Sequence, residues 1–192
     1  MIHCQIAGLP RRLLAGWLAT VLGTSLSLAS LPTLAAISVT LTDDTPTLNG
    51  HGGTHAVAAA TAHGVETMFT LSGAHVFPLY DAAVGGKDGA ASGQGPLRLI
   101  DVRHEQTAVF AAEATAKLTR TPGLAVVTAG PGVTNIVSGV TTAHFNGSPL
   151  VVLGGRSPDA RWGTGALQEL DQPPLLAPVS KHAATVHSPA EI

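Results

Sequence analysis

Two short runs, Leu124-Ala125-Val126-Val127-Thr128 and Pro149-Leu150-Val151-Val152-Leu153, do most to limit what this chain can become. Neither alternates apolar with polar residues, so neither suits a sheet with one wet face; each asks to be covered on both sides. Between them Asn135 to His144 reads as a helix. The same order recurs upstream, with strands at Thr67 to Leu71 and Leu97 to Val102 and helices at Val76 to Ala83 and His104 to Thr119. An alanine-rich helix from His55 to His63, stopped by Gly64, opens the series. A strand over Lys181 to Val186 and the first turn of a helix at Ser188 to Ile192 close it. The pattern predicts an α/β domain built on a parallel sheet with helices on both faces.

In such a sheet, ligands collect at the carboxyl ends of the strands. Ser72-Gly73-Ala74-His75, Arg103-His104-Glu105, Ala129-Gly130-Pro131-Gly132 and Gly154-Gly155-Arg156 all follow strands directly and should share one edge. Glu105 opens a helix that continues in alanine, valine and phenylalanine. Such a carboxylate either offsets the helix dipole or lies against the packed interior, where desolvation favours the neutral acid and prepares it for proton transfer. His104 reads as a neighbour that orients Glu105 or packs. Gly130-Pro131-Gly132 is either an ordinary tight turn or a place where backbone approaches a ligand closely.

Composition removes several function classes. A net charge of −2 without a basic cluster leaves no electrostatic footprint for nucleic acid. The single cysteine, Cys4, excludes an internal disulfide and a cysteine-based metal site. His51 and His55 have helical ligand spacing, but Gly52-Gly53 between them reads as linker, so no metal site is expected. Glu113, Lys117 and Arg120 read as a solvated face with i, i+4 pairing. Arg156 and Arg161 are candidates for salt bridges to Asp159 or Asp171. Only 11% of residues are charged, which points to a membrane or export segment, to a face that a partner covers, or to both.

The chain divides unevenly. Over residues 1–36, Arg11 and Arg12 precede an uncharged apolar run and then Thr33-Leu34-Ala35-Ala36, a signal-like pattern or else a mis-assigned start outside the folded domain. Residues 37–53 read as a polar, glycine-rich linker, 54–192 as the domain, and 85–96 within it as a surface loop. The domain reads as cytoplasmic; a true signal at 1–36 would make the protein secreted or membrane-anchored.

Arg103-His104-Glu105-Gln106-Thr107-Ala108, Thr128-Ala129-Gly130-Pro131-Gly132-Val133-Thr134-Asn135 and Ser148 to Arg156 together resemble the pyrimidine-binding N-terminal domain of thiamine-diphosphate enzymes. Gly165-Ala166-Leu167-Gln168-Glu169-Leu170-Asp171 resembles a stretch of the acetolactate synthase branch, with Leu167 in place of an aromatic residue. The resemblance implies the thiamine-diphosphate-binding fold, with thiamine diphosphate as cofactor and a 2-keto acid such as pyruvate as substrate. It also implies decarboxylase or carboligase activity of the kind used in branched-chain amino acid biosynthesis. By the same resemblance, Glu105 hydrogen-bonds the aminopyrimidine ring and is catalytic. Gly73, Pro131, Gly132 and Asn135 bind the cofactor, and Gln168 stands over the bound intermediate. Lys181 falls near a family lysine of the substrate channel. Ala74 replaces a family glycine. The family's central and diphosphate-binding domains, the latter holding Mg²⁺, are expected to be absent from this chain. The aminopyrimidine half-site would then be completed by a homo-oligomer or by a complementary diphosphate-domain chain. The alternatives are a catalytically inactive truncated domain and an exported small-ligand binder.

Overall fold

The computed structural model describes residues 50–85 and 95–192, together with the backbone of Ile2–Ala7. The apolar run that follows Arg11 and Arg12, and most of the expected linker and of the 85–96 loop, lie outside the described residues. Among the described residues six strands form one sheet: β1 (Ile2–Ala7), β2 (Thr67–Thr70), β3 (Arg98–Asp101), β4 (Gly123–Val127), β5 (Leu150–Gly155) and β6 (His182–Val186), in the order β3-β2-β4-β5-β1-β6. β3, β2, β4 and β5 are mutually parallel. Their connections run through α1 (Gly52–Ala62) ahead of β2, then α2 (Phe77–Ala83), α3 (Glu105–Thr119), α4 (Pro131–Thr134) and α5 (Val137–Asn146), with α6 (Pro173–Leu176) ahead of β6.

The doubly covered sheet expected from the apolar runs is present. Along β4, Ala125 and Val127 pack on one face with Ala108 and Ala112 of α3 and with Val140 and Ala143 of α5. Leu124 and Val126 pack on the other face with Ala56 and Val57 of α1 and with Leu79 and Ala83 of α2. Successive strand residues point to opposite sides, so a strand clad on both sides has no position left for a polar residue.

α3 meets the sheet through Ala108, Ala112 and Ala116, each at most 1% exposed and spaced one helical turn apart. These small side chains let the helix backbone come close. A Cβ on Gly123 would stand 2.0 Å from the Ala112 carbonyl oxygen. Gly123→Ala is therefore expected to push helix and strand apart and cost about 2–3 kcal/mol, measured as a lower denaturant midpoint.

The start of the domain differs from the sequence reading. α1 begins at Gly52 rather than His55, because His51 caps it: His51 Nδ1 accepts a hydrogen bond from the Thr54 amide at 3.3 Å. Gly53, read as linker, lies in the first turn, where a Cβ would meet the Pro78 carbonyl oxygen at 2.1 Å. The sheet also departs from purely parallel pairing. Ile2–Ala7, expected to lie outside the domain, forms an antiparallel strand between β5 and β6. Ile2, Cys4 and Ile6 alternate with His3 and Gln5, the period of a strand.

Candidate functional site

The carboxyl ends of β2, β4 and β5 and the start of α3 converge as expected, and Thr128 stands at their centre. It follows β4 and is only 8% exposed. A Cβ on Gly73, after β2, would fall 2.3 Å from both Cβ and Oγ1 of Thr128. A Cβ on Gly132 would fall 2.8 Å from Thr128 Cγ2 and 3.7 Å from Glu105 Oε1. Both glycines are thus required by close approach to one side chain. Gly155, the last residue of β5, packs against His75 in the same way, with its missing Cβ 2.5 Å from His75 Cβ.

Glu105 takes up the interior position, at 8% exposure, although it opens α3. Its carboxylate Oε2 accepts a hydrogen bond from Asn135 Nδ2 at 2.9 Å. Oε1 has no protein partner among the described residues. His104 does not orient this carboxylate. It is the N-cap of α3, accepting from the Gln106 amide through Nδ1 at 3.2 Å, and is itself exposed.

The Gly-Pro-Gly bend makes the other wall. Gly130 has φ +56° and ψ −111°, a conformation open to glycine, and serves as N-cap to α4. Pro131 then occupies the first helical position, where its lack of an N–H costs nothing. Pro131 and Asn135 are exposed while Gly132 is buried, so the bend forms a rim around the Glu105 carboxylate.

Gln168 comes from further along the chain. It sits at φ +57°, and its Oε1 accepts from Thr128 Oγ1 at 3.1 Å. The segment carrying it is tied down at several points. Ser157 Oγ donates to the Leu167 carbonyl at 2.8 Å, and the Glu169 carboxylate accepts from the Gly163 and Ala166 amides at 2.8 and 3.0 Å. Gln172, fully buried, donates through Nε2 to the Gly155 carbonyl at 2.9 Å. Arg156 binds Asp159 at 2.6 Å and stacks over Trp162 at 3.6 Å, which agrees with the salt bridge expected of it.

Glu105, Gly73, Pro131, Gly132, Asn135 and Gln168 are therefore gathered at one end of the sheet. Lys181 is not among them. Val186 and Gly155 both pair with Ile2, so β6 runs in the direction of β5 and Lys181, before β6, lies at the opposite edge. Thr128, His75, Glu169 and Gln172 had no role in the sequence reading. Thr128 carried the clearest signal, as the one polar residue closing an apolar strand beside the glycine bend.

Comparison with known proteins gives the family. A family model for the thiamine pyrophosphate enzyme, N-terminal TPP binding domain, matches residues 50–175, and every gathered residue falls within that span. The chain belongs to this family. It is 50% identical over 147 residues to the acetolactate synthase large subunit of Mycobacterium tuberculosis, covering 77% of this chain and 25% of that protein. It is 42% identical over 142 residues to the 2-hydroxyacyl-CoA lyase 2 of Homo sapiens, covering 74% of this chain and 21% of that protein. The Danio rerio 2-hydroxyacyl-CoA lyase 2 is also 42% identical over 142 residues, with the same coverage. The chain spans about a quarter of the length of the curated relatives it matches.

The residues present suit the aminopyrimidine of thiamine diphosphate. That ring needs an acid beside a nitrogen, and Glu105 Oε1 is a carboxyl oxygen without a protein donor among the described residues, 3.7 Å from where a Cβ on Gly132 would stand. Asn135 holds the other oxygen, which fixes the plane of the carboxyl.

Proposed function

We propose that this domain binds the aminopyrimidine half of thiamine diphosphate in an acetolactate synthase-like decarboxylase or carboligase acting on a 2-keto acid such as pyruvate. The observation that carries the reading is Glu105, buried at the strand tips and held by the exposed Asn135, with one carboxyl oxygen left open beside Gly132. Glu105 shares a proton with the ring. Asn135 fixes the carboxyl, Gly73 and Gly132 let Thr128 pack into the wall of the cofactor site, and Pro131 shapes the rim. The cofactor, when bound, supplies the electron sink for loss of carbon dioxide from the keto acid.

In this reading the diphosphate and its Mg²⁺ are held by a complementary diphosphate-binding domain, in a second copy or in a partner chain. Phe145 and Leu118, 83% and 85% exposed near the C-terminal ends of α5 and α3, leave a separate apolar face, at the edge opposite the strand tips, that self-association would cover. Light scattering of the isolated chain is expected to show self-association; a monomer at high concentration would count against that face.

Calorimetric titration of thiamine diphosphate with Mg²⁺ tests the reading. Saturable binding is expected once the diphosphate-binding part of an acetolactate synthase large subunit is added, and heat at the level of dilution in that mixture would overturn it. We place the protein in the cytoplasm; a mature amino terminus near Ala36 in a secreted fraction would contradict this.

A further inference from the structure

We propose that Thr128 is a positioning residue: its hydroxyl holds the Gln168 side chain by the amide carbonyl and so presents the amide NH₂ as a donor to an oxygen of the keto-acid substrate. The ligand in this statement rests on the function proposed above; the position of the amide does not.

The backbone comes first. A non-glycine residue at φ +57° sits in a sparsely populated region and stays there only when its surroundings hold it. Here the surroundings are identifiable. A Cβ on Gly130 would come 2.9 Å from the Gln168 carbonyl oxygen, so the glycine bend and the Gln168 backbone are in close contact. Ser157 fixes Leu167 on one side, and the Glu169 carboxylate folds back on the Gly163 and Ala166 amides on the other. The Gln168 backbone is thereby set, while its side chain has a single protein partner among the described residues, the Thr128 hydroxyl at 3.1 Å.

Hydrogen counting then gives the polarity. A threonine hydroxyl has one hydrogen to donate and can accept as well. Thr128 Oγ1 has two side-chain neighbours, Gln168 Oε1 at 3.1 Å and His75 Nδ1 at 3.4 Å. With Nδ1–H of His75 donating to Oγ1, the hydroxyl hydrogen is free for Oε1, and both contacts are satisfied. The NH₂ of the amide is then left for a ligand. An amide donor at this place suits a carbonyl or carboxylate oxygen, the groups a 2-keto acid offers. The reverse arrangement needs a bare Nδ1 and turns the amide carbonyl outward, against those same oxygens.

Three readouts on the full chain test this, and the first two need no cofactor. In ¹⁵N–¹H spectra, the Gln168 side-chain amide, assigned by its loss in Gln168→Leu, is expected to be resolved in the wild type. It should move to the position of a free glutamine in Thr128→Val and be restored in Thr128→Ser, with the remaining dispersed resonances unchanged. An amide unmoved in Thr128→Val, or not restored in Thr128→Ser, overturns the proposal. So does a long-range ¹⁵N–¹H imidazole spectrum with the proton on Nε2 alone, since the chain of donors would then run the other way. Third, with the complementary domain supplied, Thr128→Val should lower kcat about tenfold, the worth of one well-placed hydrogen bond. Affinity for thiamine diphosphate should be unchanged and serine should rescue. Equal loss of cofactor affinity, with serine giving no rescue, marks Thr128 as merely structural and overturns the proposal. If the wild type binds no thiamine diphosphate, the function proposed above fails while the two spectroscopic results stand or fall alone.

Discussion

Glu105→Gln is expected to reduce keto-acid decarboxylation by the reconstituted enzyme about 100-fold or more while leaving the fold intact. The substitution keeps the shape of the side chain, and an amide carbonyl can still accept the hydrogen bond that Asn135 Nδ2 gives to Oε2. What it removes is the exchangeable proton. The position held by Oε1 becomes either a fixed donor or a neutral acceptor, and neither can both give and take a proton beside a ring nitrogen. Burial sharpens the effect, because at 8% exposure little water is at hand to replace the carboxyl in that role. The check is carbon dioxide release from pyruvate by wild type and variant, each combined with the same diphosphate-binding domain. Thermal unfolding run in parallel should agree within a few degrees. Activity within threefold of wild type would remove Glu105 from the chemistry and with it the proposed function.

The same carboxylate illustrates how far the sequence could be read. A first-turn glutamate is ordinarily a solvated partner of the helix dipole, and only the apolar residues after it argued for burial. The apolar strands were legible because a sheet covered on both faces has no polar position, and Ala125 and Val127 against Leu124 and Val126 show that division directly. The gathering of Gly73, Glu105, Pro131 and Gly132 at one edge followed from the parallel order alone. What escaped was fixed by contacts between distant parts of the chain. Thr128 meets Gln168 across 40 residues, and Gln172 reaches back 17 residues to Gly155; no local period announces either. His51 was taken for linker because two glycines follow it, yet Gly53 is there to let Pro78 approach. The alternation in Ile2 to Ala7 was overshadowed by the arginines and the apolar run after it.

Glu113 was the plainest misreading, and it carries the largest expected effect on stability. Its i, i+4 spacing to Lys117 describes a solvated pair, and that pair exists, with Nζ 2.7 Å from Oε1. The Glu113 side chain, however, is only 8% exposed. It also accepts from Ser148 Oγ at 2.8 Å and from Asn146 Nδ2 at 3.1 Å, tying α3 to the turn between α5 and β5. Together with Glu105 on Asn135, it clips α3 along its length to the α4–α5 layer: two carboxylates, two asparagines. Burial alone pushes the Glu113 carboxyl up, but the hydrogen bonds from Lys117, Ser148 and Asn146 outweigh it and hold the group below its usual value of 4.5. A carboxyl more acidic in the folded than in the unfolded chain stabilises the fold fully above the unfolded value and loses that contribution as pH falls through the folded one. Glu113→Ala leaves the buried Ser148 hydroxyl without its acceptor and takes a charged acceptor from the exposed Lys117 and Asn146, and should cost about 3 kcal/mol at pH 7, lowering Tm by roughly 10 °C. The margin between wild type and variant should narrow steadily as pH falls from about 5 towards 3. A margin that stays constant over that range would show that packing, rather than the ionised carboxylate, holds α3 to its neighbours.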